Sequence, residues 1–206
     1  MAPPGGTFFI TFRLFDSLPR QVLKYLIEEY SREESEIRKG EPLDFKAKLN
    51  SLYLKKFESL EYHLEENPFG KCFLKDKRVA NIVAQKIREY NHSLYDLKAY
   101  CIMPNHVHLL IDTSVQIIND LYTYQADVPE NYLQLDKIMQ LIKGGSAFLA
   151  NQILNRKGSF WAKDSYDRYV RNYQAYQNIY QYIIQNPVKA GLVSDPKEYP
   201  FTYFGE

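Results

Sequence analysis

The clearest structural pattern of the chain lies in Tyr100-Cys-Ile-Met-Pro-Asn-His-Val-His-Leu-Leu-Ile-Asp112. From Val107 to Ile111 it is apolar apart from one histidine and follows a Pro-Asn pair, which predicts a buried strand entered from a turn. Because side chains alternate between the two faces of a strand, we expect His106 and His108 on one face. Residues 94–103 alternate as another strand, and the two could form a hairpin.

The histidine pair allows two interpretations. Two imidazoles on one face of a rigid strand offer nitrogens at a fixed separation, which is half of a metal site. A histidine in an apolar run is more often a hydrogen-bonded core residue, and the spacing alone does not exclude this. A metal site requires further ligands from elsewhere in the chain.

Length and composition bound the class of protein. With 206 residues, of which 45% are hydrophobic, the chain is expected to form a single domain over residues 1–206. Cys72 and Cys101 form no Cys-x-x-Cys pair, which favours a reducing cytoplasm. The first residues lack a basic start and an apolar core, and no run approaches membrane-spanning length. The sequence therefore predicts a protein that is neither exported nor embedded in a membrane.

Charge is unevenly distributed although the net charge is only +1. Residues 26–68 carry eleven acidic and seven basic side chains, whereas residues 140–190 carry seven basic and two acidic ones. The basic C-terminal part, about 140–193, is a candidate surface for a polyanion, although a solvated face explains the charge equally well.

Periodicity predicts the other elements. Thr7–Leu14 is rich in β-branched and aromatic residues and predicts a first strand. Apolar residues recur at helical spacing in four further segments. These predicted helices are 21–37, 45–66, 76–91 and 132–154, of which the first two form an acidic helical insertion at about 20–66.

Lys143-Gly-Gly-Ser146 interrupts the last of these helices. A Gly-Gly pair costs roughly 2 kcal/mol in a helix relative to Ala-Ala, so we expect a break, a kink or a close approach of backbone to a ligand. Lys143 and Ser146 are candidate phosphate contacts. The phosphate-loop pattern is absent, which does not favour nucleoside triphosphate hydrolysis.

Aromatic and basic side chains alternate after residue 158. Trp161, with Lys163, Arg168 and Arg171 near it, could stack on bases and hold phosphates. Ordinary aromatic packing with extended arginines is the alternative.

A last helix begins near Tyr173, and Pro187 is expected to end it. Tyr182 and Asn186 are one helical turn apart, so a phenol and a carboxamide share a face. A tyrosine beside a metal can attack phosphorus and form a covalent intermediate. In a chain with 18 tyrosines, periodicity alone favours a packing or surface role for Tyr182.

Four segments together resemble one family. Met103-Pro-Asn-His-Val-His-Leu-Leu110 is similar to the His-hydrophobic-His motif of single-tyrosine HUH transposases. Tyr182-Ile-Ile-Gln-Asn-Pro-Val-Lys-Ala-Gly-Leu-Val193 is similar to the C-terminal signature of their REP-associated tyrosine transposase branch. Residues 11–19 and 161–168 also resemble that branch, in the same order along the chain.

The resemblance implies an α+β fold of the ferredoxin or RRM-like HUH type, with helices packed on a central antiparallel sheet. It makes His106, His108 and Asn186 ligands of Mg²⁺ or Mn²⁺ and Tyr182 the nucleophile. Insertion-sequence relatives usually have glutamine at the third ligand, and asparagine fits the REP-associated branch. Lys189 joins Lys143, Lys163, Arg168 and Arg171 as a candidate phosphate contact.

The activity implied is transesterification on single-stranded hairpin DNA, typically the repeated extragenic palindromes of bacterial chromosomes. Tyr182 would form a 5′-phosphotyrosine, and a later 3′-hydroxyl would rejoin the strands. The implied protein acts in the bacterial cytoplasm at the nucleoid, without a membrane, as a monomer or a homodimer.

Other classes fit the sequence less well. A histidine-triad hydrolase needs a third histidine at position 110, which is Leu110. A helical adaptor would explain the acidic helices but not the histidine strand. The main alternative is a domesticated relative that binds hairpin DNA or RNA without cleaving it.

Overall fold

A computed structural model describes residues 3–40, 43–66, 70–119 and 126–205. Contacts divide the chain into two compact units, a sheet unit (Met1–Leu14 and Phe73–Glu206) and a helical unit (Phe15–Cys72). The helical unit spans the predicted insertion, while the assignment of the whole chain to one domain stays a prediction.

The described residues form five α-helices and seven strands. The helices are α1 (Arg20–Gly40), α2 (Phe45–Glu66), α3 (Lys77–Glu89), α4 (Leu135–Ile153) and α5 (Tyr173–Lys189). The strands are β1 (Thr7–Leu14), β2 (Asp96–Ile102), β3 (His106–Asp112), β4 (Ile118–Asn119), β5 (Ala126–Asp127), β6 (Trp161–Tyr169) and β7 (Thr202–Phe204).

An antiparallel sheet with the order β6-β1-β3-β2-β7 confirms the predicted α+β fold, and the histidine strand β3 is its middle strand. The predicted hairpin of β2 and β3 is present, with Cys101 opposite His108. In the β1–β3 pair, Thr11 lies opposite His108 and Arg13 opposite His106. Alternation then assigns the remaining side chains of these strands to one face or the other.

One face of the sheet supports the main hydrophobic core. Phe8, Ile10 and Phe12 of β1 and Val107 of β3 are fully buried there against apolar side chains of α3 and α4. Thr11, His106 and His108 lie on the opposite face. This separation explains how histidines can stand in an apolar strand without entering its hydrophobic layer.

The two edge strands of the sheet, β6 and β7, were not predicted from the sequence. Most side chains of β6 are exposed, so the strand lacks the apolar alternation that marks a half-buried strand. Strand β7 has only three residues and pairs with β2 through Tyr203 opposite Tyr100. These edges depend on pairing partners distant in sequence, which local patterns do not encode.

Helix α4 corrects the prediction of an interruption at residues 143–146. It runs unbroken through Gly144 and Gly145. A β-carbon at Gly145 would lie 3.1 Å from Cδ of Lys86 on α3, whereas one at Gly144 would meet nothing within 4 Å. The close approach of the backbone at Gly145 is therefore to the neighbouring helix α3.

Helix α5 also departs from expectation, because Pro187 lies inside it and does not end it. The proline falls in the last turn, and the Ala190 N–H still donates to the Asn186 carbonyl at 3.0 Å. Asn186 thus keeps helical geometry one turn after Tyr182.

The helical unit consists mainly of α1 and α2, which pack on each other through Leu26, Tyr30 and Leu52. The Tyr30 hydroxyl donates to the Lys55 carbonyl at 3.2 Å, and the Lys55 ammonium lies 2.7 Å from Glu33. These contacts support a structural role for the acidic helices. Across both units, no helix among the described residues is long and apolar enough to cross a membrane.

Candidate active site

Strand β3 presents the two histidines side by side. Their Nε2 atoms are 3.0 Å apart, and both side chains are fully buried. The spacing of two residues on a strand, recognised in the sequence, therefore brings the two rings together on one face as predicted.

The outer nitrogens of the two rings are held by the sheet and its turn. The amide oxygen of Asn105, in the turn before β3, lies 2.7 Å from Nδ1 of His106. The Thr11 hydroxyl, across the strand pair, lies 2.8 Å from Nδ1 of His108. Neither residue was predicted from the sequence. Asn105 could have been found because it adjoins His106, but the contact of Thr11 follows from the strand register.

Helix α5 brings a third ligand candidate to the same place. It packs on β2, β3 and β7, and its Asn186 side chain is fully buried with Nδ2 3.2 Å from Nε2 of His108. Among the described residues, Oδ1 of Asn186 has no hydrogen-bond partner. Because a buried polar atom without a partner is costly, this oxygen suits a ligand role.

The donor set fits a divalent ion. Two imidazole nitrogens and one amide oxygen are ligands that Mn²⁺ and similar ions accept. Ligand atoms about 2.1 Å from an octahedral ion lie about 3 Å from each other, which agrees with the 3.0 Å between the two Nε2 atoms. The spacing of the two imidazoles therefore suits a common metal, and the Asn186 amide lies beside them.

Tyr182 lies beside this group. Its ring centroid is 5.2 Å from that of His108 and 6.0 Å from that of Phe9, both in edge-to-face arrangement. The Lys189 ammonium lies 5.0 Å from the centroid of the Tyr182 ring. The side chain of Tyr182 is half-buried, so the phenol borders both the histidine cluster and solvent.

The predicted phosphate contacts divide into two groups. Lys163, Arg168, Arg171 and Lys189 are exposed, as a polyanion surface requires. Lys143 is half-buried and donates to the Lys163 carbonyl at 3.1 Å, and burial lowers the pKa of its ammonium.

Ser146 and Trp161 require a correction, because both are buried and hydrogen-bonded to each other. The Trp161 Nε1–H donates to Ser146 Oγ at 3.0 Å, and the Ser146 hydroxyl donates to the Ile142 carbonyl at 2.6 Å. They join α4 to β6 and are not placed to contact DNA. A buried serine cannot be told from an exposed one by local composition.

Strand β6 adds two residues to the histidine face. In its pairing with β1, Tyr166 lies opposite Thr11 and Arg168 opposite Phe9. Tyr166 belongs to the aromatic and basic segment that the sequence offered for base stacking, but its place on this face could not be predicted, because the register of β6 cannot be read from local patterns. Arg168, one of the predicted phosphate contacts, therefore lies on the same face of the sheet as the two histidines.

No protein-family model matches the chain. It is similar to a Haemophilus influenzae protein provisionally named a REP-associated tyrosine transposase, with 29% identity over 113 residues. The match covers 55% of this chain and 61% of that protein, so it spans about three fifths of the relative's length.

The fold is similar to that of a solved REP-associated tyrosine transposase bound to a REP hairpin, with a TM-score of 0.52 and 15% identity. The alignment covers 98% of this chain and 78% of the solved one. Together the two comparisons confirm the resemblance to REP-associated tyrosine transposases, and the second confirms the fold.

Proposed function

We propose that the protein is a metal-dependent transesterase that nicks and rejoins single-stranded hairpin DNA through a 5′-phosphotyrosine on Tyr182. One observation carries the proposal. His106, His108, Asn186 and Tyr182 come from segments more than 70 residues apart in sequence and meet in a single site. DNA binding alone requires none of these four side chains in this arrangement.

In the first step, the Tyr182 oxygen attacks the phosphorus of the scissile phosphodiester. A bond from phosphorus to the tyrosine oxygen forms, and the bond to the 3′-oxygen breaks. The phenol gives up its proton and the departing 3′-oxygen gains one, so the step is balanced.

The second step reverses the first. A 3′-hydroxyl attacks the phosphotyrosine, Tyr182 leaves with a proton, and a new phosphodiester forms. The covalent link retains the energy of the broken bond, which removes the need for a nucleotide cofactor.

His106, His108 and Asn186 would hold the ion, and their nitrogen and oxygen donors favour Mn²⁺ over the oxygen-preferring Mg²⁺. When bound, a divalent ion supplies Lewis-acid polarisation of the phosphate and compensates its charge. The edge-to-face contact with His108 and the Lys189 ammonium over its ring orient Tyr182.

The substrate proposed is a hairpin of a repeated extragenic palindrome, bound in the bacterial cytoplasm at the nucleoid. The solved neighbour was bound to a REP hairpin, which supports this class of ligand. Lys163, Arg168, Arg171 and Lys189 provide exposed positive charge for its phosphates.

The test is incubation of the full chain with labelled single-stranded hairpin DNA, drawn from repeats beside its own gene, in Mn²⁺ or EDTA. A protein–DNA adduct on a denaturing gel, dependent on Mn²⁺ and absent in Tyr182→Phe, is the expected result. Tight binding without cleavage of a verified hairpin would instead support the non-catalytic alternative.

A further inference from the structure

Phe9 of strand β1 contacts both the proposed nucleophile and one of the proposed metal ligands. We propose that Phe9 is a positioning residue, whose ring holds the Tyr182 phenol in a fixed place relative to His108. The inference rests on the proposed role of Tyr182 as the nucleophile. It assigns a part in the reaction to an apolar side chain whose sequence pattern indicates only a strand.

Phe9 lies on the histidine face of the sheet. In the pairing of β1 with β3 it is opposite Leu110, which is two residues from His108 on the same face. The neighbouring Phe8 and Ile10 point to the other face, into the main hydrophobic core. Phe9 is only 3% exposed, so its aromatic ring is buried on the side of the sheet that carries the proposed site.

The ring of Phe9 closes a triangle of aromatic contacts. It is stacked on the His108 ring, with 5.9 Å between centroids and 23° between planes. It meets the Tyr182 ring edge-to-face, at 6.0 Å and 87°. Because the His108 and Tyr182 centroids are 5.2 Å apart, the three rings form a triangle with nearly equal sides. The phenol is therefore located by two rings at once.

The three rings of this triangle come from different elements. Phe9 and His108 lie on neighbouring strands, whose separation is set by backbone hydrogen bonds, whereas Tyr182 lies on α5, which packs on the sheet. Tyr166 of β6 also contacts Phe9, with 6.3 Å between ring centroids. The sheet thus offers a fixed pair of rings as a support for a phenol that a helix carries.

Loss of the Phe9 ring would leave space beside the phenol. Tyr182 is half-buried, so its side chain would then reach rotamers that the closed triangle excludes. A nucleophile must approach phosphorus roughly in line with the departing oxygen, and a misplacement of about 1 Å can cost about 100-fold in rate. We therefore expect Phe9 to affect the rate of the chemical step more than the affinity for DNA.

The test compares Phe9→Leu with Phe12→Leu in the full chain. Phe12 is the matched control, because it lies in the same strand, is 1% exposed and contacts Trp161 on the opposite face, with 4.8 Å between centroids. Phe9→Met is a second ring deletion, in which a flexible side chain fills the space and protects the fold. Phe9→Tyr keeps the ring, and thermal unfolding verifies that each variant is folded.

Two measurements report the position of the phenol and its consequence. In the metal-free protein, nuclear Overhauser effects between the ring protons of Tyr182 and His108 report their proximity. With saturating Mn²⁺ and hairpin DNA, the single-turnover rate of adduct formation reports the chemical step, while titration gives the Kd for the hairpin.

We expect Phe9→Leu and Phe9→Met to weaken the Overhauser effects and to lower the single-turnover rate by about 10–100-fold, with a change in hairpin Kd below about threefold. Phe12→Leu and Phe9→Tyr should retain both the Overhauser effects and the rate. This combination distinguishes a positioned nucleophile from a general loss of stability in the sheet.

Three results would contradict the role of Phe9 and leave the proposed function intact. They are an unaltered rate in folded Phe9→Leu and Phe9→Met, a reduced rate with unchanged Overhauser effects, and an equal loss of rate in Phe12→Leu. An unaltered protein that forms no adduct would instead remove the proposed function, and the positioning role with it.

Discussion

At the scale of single residues, the buried amide of Asn186 affects both the proposed metal binding and the stability of the fold. Its amide is fully buried, and within the described part of the chain its oxygen accepts no hydrogen bond. Such an oxygen typically costs about 1–3 kcal/mol of stability. The proposed ligand role would explain this cost, because the ion would bind the oxygen that receives no hydrogen bond from the described residues.

Asn186→Leu is predicted to lower Mn²⁺ affinity by at least about tenfold, or ~1.4 kcal/mol. The substitution removes the oxygen at similar volume and should change the free energy of unfolding little, because the loss of an unpartnered buried oxygen and the loss of the Nδ2 contact with His108 have opposite signs. Calorimetry with Mn²⁺ and urea unfolding measure the two effects. Asn186→Asp, which keeps an oxygen and adds a charge, should bind Mn²⁺ at least as tightly; equal affinity of Asn186→Leu would exclude the ligand role.

Residue types and spacing located the centre of the site but not its surroundings. His106 and His108 follow from the two-residue period of a strand, and Tyr182 and Asn186 from one helical turn together with the resemblance. Thr11 could not be predicted as a partner of His108, because the contact depends on the pairing of strands almost one hundred residues apart in sequence. The same limit explains the incorrect placement of Ser146 and Trp161 on a DNA surface.

At the scale of elements, helix α4 shows how glycine can be misread. Composition predicts a break at Gly144-Gly145, yet the helix continues because its packing against α3 compensates the low helix propensity. The two glycines differ in surroundings. Gly145 faces the aliphatic stem of Lys86, whereas Gly144 faces open space.

Gly144→Ala is therefore predicted to stabilise the protein by about 0.5–1 kcal/mol, which corresponds to a Tm rise of about 2–4 °C per kcal/mol at this chain length. Gly145→Ala is the matched comparison and should gain less, because its β-carbon would lie 3.1 Å from the Lys86 side chain, which must move. Calorimetric unfolding of both variants measures the difference. A larger gain for Gly145→Ala would contradict the packing explanation.

Asp112, at the end of strand β3, is predicted to make a pH-dependent contribution to the free energy of unfolding. Partial burial raises the pKa of Asp112, but hydrogen bonds from Ser114 and Thr7 lower it by more, so the net pKa lies below its usual value. The Thr7 hydroxyl donates to Asp112 at 2.6 Å and the Ser114 N–H at 2.8 Å. A lowered pKa means that the ionised carboxylate stabilises the fold.

This stabilisation is fully present above the unfolded-state pKa of about 3.9 and is lost as pH falls through the lower folded-state pKa. Asp112→Asn should therefore be less stable than the unaltered chain at pH 7, with a difference that shrinks below about pH 4. Urea unfolding between pH 7 and pH 3 measures it. A difference that stayed constant across this range would show that ionisation of Asp112 does not contribute.

At the scale of the whole molecule, one chain supplies every residue of the proposed site. Tyr182 contacts His108 of its own chain, with 5.2 Å between ring centroids. Of the monomer and homodimer expected from the resemblance, either is compatible with a site that one chain completes. A shared site in which a second chain donates the tyrosine is not required.

Mixing His108→Ala with Tyr182→Phe is accordingly predicted not to restore adduct formation. Each chain would lack one essential side chain, and neither could receive it from the other. The measurement is the denaturing-gel assay on the separate and mixed variants, with unaltered protein at the same total concentration as reference. Recovery toward a quarter or more of the reference rate would show that tyrosines are exchanged between chains.

At the level of the whole fold, the sequence predicted those helices and strands that have an apolar face. Strands β1 to β3 and helix α3 have that pattern, and the structure confirms them. Strands β6 and β7 lie at the sheet edges, where exposure removes the pattern. Tyr166 and Arg168 of β6 extend the histidine face of the sheet. Their position follows from the pairing of β6 with β1 and could not be predicted from local sequence patterns.

The most direct measurement of the central claim is the identity of the linked residue in the protein–DNA adduct. Digestion of the adduct and mass spectrometry of the nucleotide-bearing peptide distinguish among the 18 tyrosines of the chain. We predict a 5′-phosphate on Tyr182 and on no other side chain. Attachment at Tyr176 or Tyr180, or through a 3′-phosphate, would contradict it.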